Sequence, residues 1–126
     1  MDRIARIWLG FAAVSGALAL AADVAGRHLA ALNATGREFA LTGARFGFVH
    51  ALALMAAAML RDRTRAGSVA IAGWSFVAGQ IFFSWSLYAA GFGLASWPSR
   101  LVIPGLVLLA AGWLALLVHA GTARKA

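Results

Sequence analysis

"RIARIWLGFAAVSGALALAAD", residues 3–23, decides how many helices this chain builds. Two arginines precede an apolar run that closes on small residues and an aspartate, which is the outline of a secretory signal with a small-residue cleavage site. Cleavage there would leave three apolar segments. The run exceeds the about 7–15 residues of a signal's apolar centre, and the sequence opens at Met1, so the expectation is a retained first helix.

Three further apolar stretches follow, each separated from the next by charge or turn residues. The predicted spans are 7–26, 44–60, 68–92 and 101–120. Each approaches the roughly 20 residues a helix needs to cross about 30 Å of hydrocarbon. The runs are too long and too continuously apolar for barrel strands, and backbone groups facing lipid must be satisfied within their own segment. The expected fold is therefore all-α: a single integral membrane domain over 1–126, built as a four-helix transmembrane bundle.

Composition agrees. Of the 126 residues 63% are hydrophobic and only 12% charged, against an apolar share of about half in soluble domains. Without cysteine there is no disulfide, thiolate metal site or cysteine nucleophile. The net charge of +7 sits at the ends of apolar runs and not along a stripe with interleaved aromatics, so membrane-edge anchoring is expected and nucleic acid is not a partner.

Arg3, Arg6, Arg61, Arg63, Arg65, Arg124 and Lys125 fall on one side, and Arg27, Arg37, Arg45 and Arg100 on the other: seven against four. The positive-inside rule then puts both termini and the 61–67 loop in the cytoplasm. Trp8, Trp97 and Trp113 suit interfacial depth. The connection "RHLAALNATGREFALTG" (27–43) reads as a short interfacial helix or a plain loop, interrupted at "ATG" (34–36). "SWPSR" (96–100) reads as a turn, and Pro104 falls in the first turn of the last helix, where a missing N–H costs little.

Helices associate in lipid through close backbone approach and polar contacts. Ala13, Ala17, Ala21 and Ala25, spaced by four, form the expected packing seam of the first helix. Gly16, Ala53 with Ala57, Gly73, Gly79, Gly105 and Gly112 offer small surfaces on the first and other helices.

Counting depth at about 1.5 Å per residue gathers Asp23, Arg27, His28, Arg45, His50, Gln80, Ser84 and Tyr88 into one buried polar cluster biased to the outer side. Intramembrane ionisable groups normally face the bundle and find partners. Arg45 is expected to snorkel or pair with Asp23, and His50 to bond across helices to Gln80 or Tyr88. A proton relay through Asp23 and His50, and haem ligation by His28 and His50, are the functional alternatives. No catalytic, cofactor or metal-binding constellation is present: no HExxH, GxSxG, phosphate loop or paired carboxylates. His119 reads as an interfacial residue.

The residues also carry a resemblance. "SGALALAADVAGRH" (15–28), "ARFGFVHALALM" (44–55), "FSWSLY" (83–88) and "PGLVLLAAGWLAL" (104–116), in this order and spacing, resemble signatures of the YgdD-like small membrane proteins, a domain of unknown function. The resemblance places Gly26, His28, Arg45, Phe46 and His50 on family positions, and it implies four helices and no established activity. Asp23, Arg27, Gly47 and Trp85 depart from the family pattern.

The functional expectation is a non-enzymatic accessory or structural subunit that packs against a larger membrane complex of respiratory or dehydrogenase type in a bacterial inner membrane. Its motivation is the missing catalytic set, the small-residue seams and an aromatic surface from Phe76, Phe82, Phe83 and Trp85. The partners expected are the lipid bilayer and either that complex or further copies of the chain. The alternative is a small proton-coupled exporter acting as an oligomer.

Overall fold

Asp2 starts the first helix by accepting the Ile4 and Ala5 N–H groups on one carboxylate oxygen (3.2 and 3.3 Å), which satisfies donors that a helix N-terminus leaves unpaired. The structure is a computed structural model describing residues 1–95 and 100–123. In it α1 spans Arg3–His28, α2 Ala34–Arg63, α3 Gly67–Gln80, α4 Ser86–Gly91 and α5 Val102–Ala123; five residues, Ile81–Trp85, wind as a π-helical turn between α3 and α4. The α3–π–α4 unit is one continuous span, giving four helices long and apolar enough to cross a membrane and no strand among the described residues. This is the architecture of a multi-pass membrane bundle.

Of the connection 27–43 only residues 29–33 form a loop; 27–28 end α1 and 34–43 already belong to α2, so there is no separate surface helix. Asn33 accepts the Gly36 N–H at 2.7 Å, and this cap launches α2 directly, so "ATG" begins the helix and does not interrupt it. Gly36 then lets the chain run against Gly91 of α4: a Cβ at Gly36 would lie 2.6 Å from the Gly91 carbonyl oxygen. Arg37 Nη1 donates to the Gly26 and Arg27 carbonyls (2.9 and 3.2 Å), satisfying acceptors at the end of α1. Trp97 and most of the predicted turn at 96–100 lie outside the described residues, as do Arg124 and Lys125. Pro104 sits in the first turn of α5 as expected.

α1 packs along α2, the third span packs against α2 and α5, and α1 touches α3 through Trp8. The buried side of α1 is Ala5, Trp8, Ala12, Ser15, Ala19, Ala22 and Gly26, alternating steps of three and four. That average of 3.5 keeps one face on a neighbouring helix. The expected seam is displaced: Ala13, Ala17 and Ala21 are exposed and Ala25 only half-buried. A strict step of four turns about 40° too far each time in an α-helix, so that row winds away from the core.

Trp8 is fully buried and not interfacial. Its ring lies on Gly73 and edge-on to Trp74, 5.8 Å between centroids. Gly73 is the floor that admits it. Toward α5 the third span packs closely: Leu109 fills the space beside Gly79, Phe76 that beside Gly112, and Gly105 lies against the π-turn backbone. Gly79, Gly105 and Gly112 are thus packing surfaces, whereas Gly16 has nothing near it.

Candidate functional site

Gln80, Ser84 and Tyr88 are buried in the third span, and the contacts around them fix their layers. A Cβ at Gly47 of α2 would lie 2.8 Å from the Tyr88 hydroxyl, 3.2 Å from Ala19 Cβ and 3.6 Å from Ser84 Oγ. Ala19, Gly47 and Ser84 therefore share a layer, into which Tyr88 points its hydroxyl. Four residues along each helix, about 6 Å deeper, the buried Ser15, Ala51 and Gln80 come at one depth. The Tyr88 ring itself lies on Gly43, 2.7 Å from where a Cβ would stand. Gly43 and Gly47 of α2 thus face Tyr88 and Ser84.

The π-turn holds the polar rungs together. Gln80, Ser84 and Tyr88 also step by four, and in a continuous α-helix they would rotate about 80° from first to last. The wider turn at Ile81–Trp85 absorbs that rotation. Gly105 permits it, because a Cβ there would meet Phe83 N at 2.5 Å and Phe82 C at 2.7 Å. Ser86 Oγ donates to the Ile81 carbonyl at 3.4 Å, giving a backbone acceptor in the turn a partner.

Ser15 Oγ, both Gln80 amide atoms, Ser84 Oγ, the Tyr88 hydroxyl and Trp8 Nε1 are buried without a hydrogen-bond partner among the described residues. Each such group is destabilising by about 1–3 kcal/mol if left unmatched. Ser15 was not foreseen as part of the site. Its signal was a hydroxyl seven residues past Trp8, on the same helix face.

His50 belongs to a separate arrangement. Its Nδ1 lies 2.7 Å from the Phe46 carbonyl and its Nε2 is 3.0 Å from the Trp113 indole nitrogen. An indole N–H only donates, so Nε2 accepts and Nδ1 carries the proton given to Phe46. Neither Gln80 nor Tyr88 is its partner. The imidazole is neutral, fixed in one tautomer, and surrounded by Phe46, Phe76 and Trp113. Phe76 and Phe83 are buried, so the expected aromatic surface reduces to the exposed Phe82 and the half-buried Trp85, which stacks on Phe11 at 5.1 Å.

The charged members of the expected cluster stand apart from it. Asp23 pairs with Arg27 one turn along α1 (3.2 Å), both partly exposed; Arg45 and His28 are exposed. A haem held by His28 and His50 does not fit these residues: His28 ends α1 on the surface and both His50 nitrogens are engaged. Among the described residues no group of three His, Cys, Asp or Glu side chains could hold a metal ion.

The best-formed ionic site lies at the opposite end of the bundle. Asp2, besides capping α1, accepts from Arg65 Nη1 at 2.8 Å and Arg61 Nε at 3.3 Å, while its N–H donates to Asp62 at 2.8 Å. Burial raises its pKa, but the Ala5 N–H bond, the Arg61 bond and the two guanidinium charges together bring it below the ordinary carboxylate value. At the same end Ser68 Oγ and His119 Nδ1, 3.3 Å apart, join α3 to α5.

The column of neutral polar groups, the engaged imidazole and the N-terminal clasp sit within or beside a stretch that matches a known family model. That model, described as "Protein of unknown function (DUF423)", covers residues 19–104. The chain belongs to the DUF423 family. The match takes in the end of α1, all of α2, the polar rungs of the third span and the start of α5. No curated protein and no solved structure matches the chain.

Proposed function

We propose that this DUF423 protein is a non-catalytic accessory subunit, docking laterally on a larger membrane complex of respiratory or dehydrogenase type, with both termini cytoplasmic and the bacterial inner membrane as its location. The YgdD-like resemblance is part of the same reading. The observation that carries it is the outward face of α1. Ala13, Ala17 and Ala21 are left uncovered by the bundle, and beside them Leu20, Val24 and Ala25 border a shallow groove of about 530 Å³. Small side chains let a second helix approach closely in lipid.

The described carboxylates also favour a passive role: Asp23 and Asp2 are paired with arginines, and Glu38 and Asp62 are exposed. A proton-coupled exporter needs a carboxylate or base free to exchange protons inside the bundle. Asp23, the residue that reading rests on, is tied to Arg27 at the surface.

Affinity purification in a lipid-retaining polymer, followed by mass spectrometry, tests the proposal. The expected result is a stoichiometric membrane protein that co-purifies with the wild type and is lost with Ala17→Leu, while the variant keeps its thermal midpoint. A wild-type protein that elutes alone, or a partner retained by Ala17→Leu, contradicts it.

A further inference from the structure

Ion pairs among the described residues join Arg27 to Asp23, and Arg61 and Arg65 to Asp2; Arg45 and Glu38, both exposed on α2, belong to none of them. Arg45 lies sixteen residues before Arg61, about 24 Å along the helix at about 1.5 Å per residue. With Arg61 at one edge of about 30 Å of hydrocarbon, the Arg45 backbone falls short of the other edge, and its side chain reaches out to the headgroups. An ionisable group at that depth normally has a partner. Beside it lies an open recess of about 400 Å³, lined by Ala34, Arg37, Glu38, Leu41, Thr42 and Arg45.

We infer that this recess binds the headgroup of phosphatidylethanolamine, with the phosphate on Arg45, Arg37 and Thr42 and the primary ammonium on Glu38. These residues recur at steps of three and four, so they share one face of α2. Arg37 is already held there: its Nη1 donates to the Gly26 and Arg27 carbonyls, which leaves the Nε and Nη2 hydrogens for an anion. A guanidinium so fixed loses little freedom on binding. The Thr42 hydroxyl adds a donor between Arg45 and Glu38 along the helix. Glu38 makes the choice among headgroups, because an ammonium offers a carboxylate charge-assisted N–H bonds, a choline has no N–H and a glycerol headgroup has no cation. The surface below marks the occupant as a lipid and not a free phosphoester: Phe48, Val49 and Leu52 continue the same face and are exposed, a bed for acyl chains.

The recess shares no lining residue with the α1 groove, so this inference stands apart from any docking partner. Native mass spectrometry of the full chain in detergent, titrated with the dioleoyl forms of phosphatidylethanolamine, phosphatidylcholine and phosphatidylglycerol, reads the lipid bound per chain. One phosphatidylethanolamine is expected to bind about fivefold more tightly than either of the others, the upper end for a single part-exposed ion pair. Arg45→Ala should weaken all three lipids, since each carries the phosphate, and Glu38→Gln should bring phosphatidylethanolamine down to the level of phosphatidylglycerol. Both side chains are exposed, so the thermal midpoint should hold; Thr42→Val gives the Arg45→Ala readout if that variant does not assemble. Glycerophosphoethanolamine, the same headgroup without acyl chains, should not bind at concentrations that saturate with the lipid. Equal affinity for the three lipids, a preference that survives Glu38→Gln, lipid binding untouched by both Arg45→Ala and Thr42→Val, or a soluble headgroup that binds as tightly as the lipid, overturns the inference.

Discussion

Ala13, Ala17 and Ala21 in α1 and Gln80, Ser84 and Tyr88 in the third span are ladders of the same four-residue step, and they end in opposite surroundings. The alanines lie on the outside of the bundle; the polar rungs are buried. The difference is in the backbone beneath them. α1 is a regular helix, so a step of four winds off its packing face. The third span widens into a π-turn between its first and last rung, so the same step stays on one face. Spacing alone does not place a residue; spacing divided by the local turn does.

The largest difference should lie between deleting a residue beside that turn and deleting one within it. Deleting Val77, within the regular part of α3, rotates the preceding residues by about 100°, taking Gly73 off Trp8 and Phe76 off Gly112; no folded bundle should survive in detergent. Deleting Phe82 removes the extra residue of the π-turn and leaves the flanking helices in register, so most of the thermal midpoint should remain. Equal loss in both would mean that the turn is not an insertion absorbing rotation.

Next comes Gly105→Leu. The atoms it meets are the backbone of Phe82 and Phe83, which cannot step aside, so destabilisation by about 3 kcal/mol, the upper part of the overpacking range, is expected from equilibrium unfolding in mixed micelles. A normal midpoint would mean that α5 does not touch the turn.

A smaller contrast separates the two sides of α1. Ala12→Leu, on the buried side, should cost about 1–3 kcal/mol, and Ala17→Leu, on the exposed side, should stay within about 0.5 kcal/mol in the isolated protein. Reversal of that order would restore the Ala13–Ala25 row as the internal seam.

The smallest effect is that of the Asp2 clasp. Its folded pKa is lowered from 3.8, so its stabilisation is fully present above that value and is lost as the pH falls through the folded pKa. The midpoint difference between wild type and Asp2→Asn should be constant at neutral pH and shrink only in acid below 3.8. A difference that disappears between pH 6 and 8 would point to another group.

Much of the fold was legible because apolar length is a blunt signal: four runs separated by arginines and turns gave the four helices. The start of α2 was not, because Asn33 as a cap looks the same in sequence as Asn33 in a loop, and only its bond to Gly36 distinguishes them. Gln80, Ser84 and Tyr88 were found by their spacing, and His50 by its place within an apolar run. Asp23, Arg27, His28 and Arg45 were misplaced because depth along a rod says nothing about direction around it, and ionisable residues within a turn or three of a helix end can reach the surface. Asp2 and Ser15 went unnoticed, since one acidic residue near a terminus and one serine in an apolar run are unremarkable until the bond of Asp2 to Arg65 and the burial of Ser15 are seen.

The contrast between the ladders can be read in one experiment, because the chain has no cysteine of its own. Single cysteines placed in turn along 12–25 and 78–90, spin-labelled in bilayers, report oxygen accessibility at each position. The account predicts minima at 12, 15, 19 and 22 in α1, with high accessibility at 13, 17 and 21, and minima at 80, 84 and 88 in the third span. Minima at 13, 17, 21 and 25, or a third span whose minima drift from Gln80 toward the lipid before Tyr88, would contradict it.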